Sequence, residues 1–369
     1  MIESLAAICT GPETPLELAQ VLVAPPRSGE VLIEIVSSGL CHTDLTALEG
    51  INASTVYPLI PGHEGVGRVV EVGTDVSSLR PGDHVIPLYG PECGTCAMCQ
   101  SNRTNLCWSI KKTRDMGVMP DGTARFSRNG AVVHHFMGTS TLSRYTVVPE
   151  IALAKIRKDA PLDKICLFGC GVTTGVGAAM THVKHGDKVA VFGLGGIGIN
   201  IVQGARICGA QQIIGVDINP DKIDLGRYYG MTDFIDASDP SADAVTAIRD
   251  LTLGGVDVAF ECSGILSVMR QAFESAVPGW GQAVLLGVEP AGSEMQFAPV
   301  GVRYGKSIHG SYFGGVKGRS GLAPLIDLFM EGEIELDAQI THRMPLQDVN
   351  RGFDLMRKGQ SLRSIIDFE

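Results

Sequence analysis

No stretch of the sequence is both long enough and apolar enough to cross a bilayer. The most apolar segment, Val189–Ala210, holds four glycines in its first ten residues and is broken by Asn200, Gln203 and Arg206, so it is a poor membrane span. Basic charge is also scarce: 30 Lys and Arg stand against 40 Asp and Glu, a formal net charge of -10. An acidic surface repels phosphate backbones, which argues against a nucleic-acid partner. Met1–Thr10 carries no basic segment ahead of an apolar one, so no secretory signal is expected. The ten cysteines are then expected as reduced thiols in the cytoplasm. There is no internal repeat and no low-complexity linker. The H-E-x-x-H pattern of a zinc hydrolase is also missing, since Glu64 is followed by Gly65-Val66-Gly67.

What the chain does have is glycine, 46 residues of 369, and a hydrophobic fraction of 44%. That is enough apolar material for two cores of ordinary size. The first third reads as short strands and turns: Val31–Val36 closed by Ser37-Ser38-Gly39, Val66–Val72 closed by Gly73, and Val85–Leu88 after the turn Arg80–Asp83. The middle alternates differently. Lys188–Phe192, Gln212–Asp217, Phe234-Ile235, Val256–Phe260 and Gln282–Leu286 are short apolar runs, and helical patterns cover Gly198–Cys208 and Asp221–Gly230. Buried strands separated by helices predict an α/β fold with a doubly wound parallel sheet. The tail adds a helix, Leu322–Gly332, and a short run, Ser364–Ile366. The simplest layout is a β-rich domain interrupted by the parallel-sheet domain, with the tail returning to the first.

Gly193-Leu194-Gly195-Gly196-Ile197-Gly198 matches G-x-G-x-x-G. The match gains weight from its context. A strand ends at Phe192, a helix opens inside the motif, and Asp217 closes the next strand 19 residues after Gly198. Gly193 suits the tight turn, Gly195 the approach of a pyrophosphate, and Gly198 the packing of helix on strand. The helix N-terminus offers N–H groups to the phosphates. Asp217 can accept from both ribose hydroxyls and would repel a 2′-phosphate, which favours NAD over NADP.

Cys93, Cys96, Cys99 and Cys107 form C-x2-C-x2-C-x7-C. Four thiolates at this spacing suit a closed tetrahedral zinc site of structural type. An iron–sulfur cluster fits less well, because the bacterial ferredoxin run ends x3-C-P and here the last gap is seven, with Trp108 following.

Three separated segments each offer one further metal ligand: Gly39–Asp44, Pro61–Gly65 and Phe168–Gly171. Spacing alone does not join them. Together with the four-cysteine loop and the glycine motif, however, they resemble the medium-chain zinc alcohol dehydrogenases over essentially the whole chain. Ile86–Tyr89, Met119–Thr123, Phe136–Thr141 and Gly314–Ser320 bring the resemblance nearest to class III, the S-(hydroxymethyl)glutathione dehydrogenases. The resemblance implies a GroES-like β-rich catalytic domain, 1–170 and 316–369, with a structural zinc loop at 91–108. It implies an NAD-binding Rossmann domain at 171–315. It makes Cys41, His63 and Cys170 the ligands of a catalytic zinc, leaving one corner open for an alcohol or aldehyde. Glu64 would lie behind that metal, and Asp44 would orient His63. Thr43 would take the alcohol proton. His42 and Arg363 would face the pyrophosphate, Lys222 the adenosine ribose and Thr174 the nicotinamide end. Two zinc ions per chain and a homodimer or homotetramer follow from the same likeness.

The chain departs from the family pattern in two places. Thr46 stands where many members carry a relay histidine, so the proton needs another exit. Lys111 stands where class III members carry an arginine, and Asn52-Ala53-Ser54-Thr55 replaces acidic residues before Tyr57. A lysine keeps the charge but loses the bidentate fork. Lys111 and Tyr89 are nonetheless the expected substrate-pocket residues. An aliphatic or benzylic alcohol is the alternative to the glutathione adduct. A catalytically silent nucleotide-binding protein is the alternative of another class.

Overall fold

The computed structural model describes residues 1–51, 55–239 and 243–368. Asn52, Ala53 and Ser54, found in place of the acidic residues, lie outside that range. The chain divides into two compact units, Met1–Cys170 with Val316–Glu369, and Gly171–Gly315. No helix of the described residues is long and apolar enough to cross a membrane.

The unit Gly171–Gly315 is built on one sheet. Its six strands run in the order Asp233–Asp236, Gln212–Asp217, Lys188–Phe192, Val258–Glu261, Gln282–Leu285, Ser307–Gly310, and every neighbouring pair is parallel. Numbered along the chain this is 3-2-1-4-5-6, the dinucleotide-binding order. Lys188–Phe192 lies in the middle, with Val189, Ala190, Val191 and Phe192 all buried. Burial on both faces explains why it reads as a continuous apolar run rather than an alternating one.

The helix Gly198–Ile207 begins on the third glycine of the motif and ends one residue before the reading predicts. The expected helix from Asp221 is a 3-10 turn, Pro220–Lys222, followed by a helix, Ile223–Tyr229. Pro220 starts it, and Asn219 caps it by accepting from the Asp221 N–H at 2.9 Å. The helix Gly171–His182 has no counterpart in the sequence pattern. Gly171–Ala179 is buried throughout, so it presents no polar stripe to reveal the helical period.

Among the described residues, the other unit holds two sheets. One has the order Ile2–Ile8, Glu17–Val23, Phe126–Arg128, Ala131–His135, Leu59-Ile60. The second runs Leu153–Ile156, His84–Pro87, Glu64–Val72, Glu30–Gly39, Arg363–Asp367, Ile340–Pro345, with Tyr145–Pro149 also paired to Glu30–Gly39. The tail strand Arg363–Asp367 therefore does return to the β-rich unit.

The strand expected to stop at Val36 continues through Gly39. Ser37, Ser38 and Gly39 pair with Val66, Gly65 and Glu64 on one side and with Asp367, Ile366 and Ile365 on the other. The two serines do not end it because both are satisfied inside. Ser37 Oγ donates to the Leu162 carbonyl at 2.6 Å, and Ser38 Oγ lies 2.7 Å from Thr141 Oγ1.

The short helix His42–Leu48 follows at once. It packs Leu45 and Leu48 into a core with Leu40, Leu59, Met344 and Phe353, each such side chain contributing about 2 kcal/mol. Its seven residues are too few to show a helical period in sequence.

Candidate active site

Cys41, His63 and Cys170 each stand where a regular element begins or ends. Cys41 links the strand Glu30–Gly39 to the helix His42–Leu48, His63 directly precedes the strand Glu64–Val72, and Cys170 ends the 3-10 turn Ile165–Gly169. The antiparallel register sets Gly39 opposite Glu64, which brings Cys41 and His63 to one end of the strand pair. One donor atom from each of Cys41, His63, Glu64 and Cys170 lies within 4.8 Å of the others.

Asp44 organises this cluster. It is fully buried. Its Oδ1 accepts from the Gly62 N–H at 2.9 Å and faces His63 Nδ1 at 3.0 Å, while Oδ2 accepts from the Cys41 N–H at 3.2 Å. A carboxylate only accepts, so His63 carries its proton on Nδ1 and turns Nε2 the other way. Nε2 is buried and has no hydrogen-bond partner among the described residues. A buried acceptor of this kind needs a proton or a cation.

The charges lead to the same requirement. Cys170 donates to Cys41, which holds the Cys41 thiol well below its ordinary range with help from the His63 charge. The same bond, with burial, drives Cys170 well above its own. Burial alone would lower the His63 imidazole, but Asp44 and the Cys41 thiolate raise it to about 10. Two sulfurs and an imidazole around one point thus compete for protons. A divalent cation would satisfy all three at once.

Glu64 is buried and pairs with Arg363. Gly39 backs onto this pair, and a Cβ there would collide with the Glu64 carboxylate.

The second cluster is Cys93, Cys96, Cys99 and Cys107, whose sulfurs also lie within 4.8 Å of one another. Cys93 and Cys99 are 3.9 Å apart, and Cys96 and Cys107 are 3.7 Å apart. A tetrahedron with metal–sulfur bonds of about 2.3 Å has edges of about 3.8 Å. Against the cost of desolvation, bonds from Thr95 and from the Cys96 N–H hold Cys93 down to about 5. Burial and the neighbouring sulfurs push Cys99 up to about 12. The four cannot all ionise side by side without a cation, so the donor set fits zinc. The loop is tied down at Gly318 N, which donates to Thr104 Oγ1 at 3.2 Å, and at Ser320 N, which donates to Glu92 at 2.9 Å.

In the other unit, the glycine motif has the geometry its spacing requires. Gly193 has φ +90°, and among the described residues, its chain neighbours aside, nothing lies within 4 Å of where a Cβ on Gly195 would stand. A Cβ on Gly198 would strike the Gly193 carbonyl. Asp217 is buried at the end of its strand. Its Oδ2 accepts from the Leu194 N–H at 2.6 Å and from Lys222 Nζ at 2.9 Å, and Oδ1 accepts from the Asn219 N–H at 2.9 Å. The carboxylate is therefore fixed against the glycine turn. The Thr174 hydroxyl is buried with no partner among the described residues, as is Arg363 Nε in the β-rich unit. Within the unit Gly171–Gly315, the orphaned Thr174 hydroxyl and the open approach at Gly195 fit a dinucleotide. His42 is exposed.

A cavity of about 400 Å³ opens in the β-rich unit, with Thr43, Thr46, Leu59, Lys111, Arg114 and Phe136 among its walls. Thr43 is two residues beyond Cys41, and the Phe136 ring stands 6.2 Å from that of His63. Tyr89 is not one of its walls. Tyr89 stands deeper, with its ring 5.7 Å from that of His63 and its hydroxyl 3.9 Å from Cys170 Sγ.

Two family models match the chain. Residues 27–159 match the alcohol dehydrogenase GroES-like domain, and residues 196–331 match the zinc-binding dehydrogenase domain. An alcohol dehydrogenase class-3 of Cereibacter sphaeroides is 49% identical over 98% of this chain and 99% of its own length. An S-(hydroxymethyl)glutathione dehydrogenase of Paracoccus denitrificans is 49% identical over 98% of each. The crystal structure of a benzyl alcohol dehydrogenase from Acinetobacter calcoaceticus superposes with a TM-score of 0.93 at 28% identity and full coverage of both chains. This chain belongs to the zinc-dependent medium-chain alcohol dehydrogenases. The expected fold, GroES-like with a Rossmann domain, and the expected reaction class, an NAD-linked zinc oxidoreductase, both stand.

For an alcohol dehydrogenase, the most consequential residues that sequence reasoning passed over are Arg114 and Asp115. Lys111 does line the cavity, but its side chain is 63% exposed and pairs with Asp115 at 2.5 Å. Arg114, with a side chain only 15% exposed, donates to the Tyr89 carbonyl at 2.5 Å. In sequence, Lys111-Lys112-Thr113-Arg114-Asp115 reads as a solvated charge run. Only the helix Lys111–Asp115 shows which of these residues meets the cavity.

Proposed function

We propose that this alcohol dehydrogenase oxidises a primary alcohol to its aldehyde, and reduces the aldehyde in reverse, at a zinc ion held by Cys41, His63 and Cys170. The observation that carries the reading is the buried His63 Nε2, without a hydrogen-bond partner among the described residues, beside two cysteine sulfurs. Zinc at such a site supplies a Lewis acid that acidifies an alcohol hydroxyl and orients it. NAD supplies the hydride acceptor.

The rest is the work of this chain's own groups. Asp44 keeps His63 in the tautomer that aims Nε2 inward. Thr43, on the cavity wall, relays the hydroxyl proton, taking it up as it releases its own. Thr46 cannot pass that proton on as a base, and its hydroxyl already donates to the Thr43 carbonyl at 2.8 Å. The exit for the proton beyond Thr43 would then be supplied by bound NAD or by water. Leu59 and Phe136 keep the cavity wall apolar. Glu64 and Arg363 form a charge pair beside the ligands, and Arg363 and His42 are assigned to the pyrophosphate. Thr174 is assigned to the nicotinamide end, and the turn Gly193–Gly198, with Gly196 and Ile197, to the pyrophosphate. Asp217 and Lys222 hold the adenosine ribose.

The β-rich unit is accordingly the catalytic domain and the unit Gly171–Gly315 the NAD-binding domain. A second, structural zinc belongs to Cys93, Cys96, Cys99 and Cys107. Assembly as a homodimer or homotetramer and a cytoplasmic location belong to the same proposal.

The names of the relatives suggest S-(hydroxymethyl)glutathione as substrate. A second reading, an aliphatic or benzylic alcohol without glutathione, is favoured by the Lys111–Asp115 pair, which occupies the lysine expected to meet a substrate carboxylate. The test is a panel of formaldehyde with glutathione, short aliphatic alcohols and benzyl alcohol, run with NAD on the native protein and on Cys41→Ser. Turnover by the native protein and its loss in the variant, with NAD binding retained, is the expected outcome. Equal turnover in both would remove the zinc mechanism.

A further inference from the structure

The helix Lys111–Asp115 borders the cavity and carries two cations and one anion that meet in a single cluster. Asp115 Oδ2 lies 2.5 Å from Lys111 Nζ. Its Oδ1 accepts from Arg114 Nε at 3.3 Å and from Arg114 Nη2 at 3.2 Å. The Nε–Nη2 edge of a guanidinium is one that can clamp a carboxylate with two parallel bonds. Asp115 already occupies that edge. Arg114 Nη1 is taken by the Tyr89 carbonyl at 2.5 Å. Tyr89 in turn places its hydroxyl beside Cys170, so Arg114 is fixed to the same residue that borders the metal ligands.

We propose that Asp115 is a specificity-determining residue: by holding Lys111 and Arg114 it favours primary alcohols with uncharged tails over those that carry a carboxylate. The inference rests on the reading of the cavity as the substrate pocket. An incoming carboxylate must either displace Asp115 from Arg114 or approach a like charge. One net positive charge is left over, shared between Arg114, whose edge Asp115 covers, and Lys111, whose side chain is 63% exposed and screened by water and salt. The other basic wall residue, His135, adds no charge near neutral pH, because burial pushes it down to about 3. The remaining walls, Thr43, Thr46, Leu59 and Phe136 among them, are hydroxyl or apolar. They suit an uncharged chain or ring.

The experiment compares substrates that differ only by the tail carboxylate: benzyl alcohol with 4-(hydroxymethyl)benzoate, and 1-hexanol with 6-hydroxyhexanoate. The kcat/KM ratio of charged to neutral substrate is measured with NAD in the native protein, Asp115→Asn and Asp115→Ser. The native protein is expected to prefer the neutral member of each pair. Each variant is expected to raise the ratio by about fivefold, the upper range for one exposed ion pair. The gain should lie in KM for the carboxylate, shrink at high salt, and vanish when Arg114→Gln is added. General damage to the fold would lower both members of a pair together and leave the ratio alone. A ratio that does not move in either variant, or a native preference for the carboxylates, overturns the proposal. Failure of the native protein to oxidise any of the four, or formaldehyde with glutathione, overturns instead the reading beneath it.

Discussion

Asp44 and Asp217 each fix a polar network, and each does so through both carboxylate oxygens. Asp44 ties the Cys41 backbone, the Gly62 backbone and the His63 ring into one unit. Asp217 ties the glycine turn to Asn219 and Lys222. The position of Asp217 is legible in sequence, because a strand end about 20 residues beyond the glycine motif is a register the Rossmann unit enforces. The position of Asp44 is not, since an acid three residues after a cysteine is an ordinary surface pattern until the turn at Gly62 returns beside it. Replacing Asp217 by glycine should remove the repulsion of a 2′-phosphate while leaving Lys222 to attract one. The expected result is a kcat/KM ratio for NADP over NAD that rises by tenfold or more, of the order of 1.4 kcal/mol. Steady-state kinetics with both cofactors would show it, and an unaltered ratio would count against the ribose role of Asp217.

At the scale of elements, the parallel strands are the most legible part of the chain, because burial on both faces writes a run of apolar residues with glycine-rich ends. The helices His42–Leu48 and Lys111–Asp115 are the least legible. Each is under two and a half turns and is held by its surroundings rather than by its own pattern. Likeness to a family, and not spacing, joins the candidate ligand segments. The register of Glu30–Gly39 with Glu64–Val72 is the physical fact that spacing lacks.

The strand Ala131–His135 leads to a stability prediction. His135 is buried against Phe126, with ring centroids 4.6 Å apart, and its Nε2 accepts from the Arg125 N–H at 3.3 Å. Burial and the nearby Arg125 charge push its pKa from the ordinary 6.5 to about 3. Between those values the unfolded chain binds a proton that the folded chain refuses. Stability therefore falls as pH drops below about 6.5, by about 2 kcal/mol between pH 7 and pH 5. Asp121 acts in the same direction at lower pH. Although burial opposes it, the Arg125 bond holds its carboxyl below the usual range, so its contribution is lost as that carboxylate takes a proton. Urea midpoints at pH 7 and pH 5 should differ less in His135→Gln, which keeps an acceptor but cannot titrate. An identical pH dependence in the native protein and the variant would contradict the assignment.

For the whole molecule, the central claim concerns metal. Two donor clusters, one with an imidazole beside two sulfurs and one with four sulfurs, are proposed to hold two zinc ions of different purpose. Anomalous scattering from crystals of the zinc-loaded protein, collected on both sides of the zinc edge, tests this most directly. The expected map has two peaks per chain. One is bonded to Cys41 Sγ, His63 Nε2 and Cys170 Sγ with a further position open to a small ligand, and the other is enclosed by Cys93, Cys96, Cys99 and Cys107. A map with scattering at the four-cysteine loop alone, and none at His63 Nε2, would contradict the account.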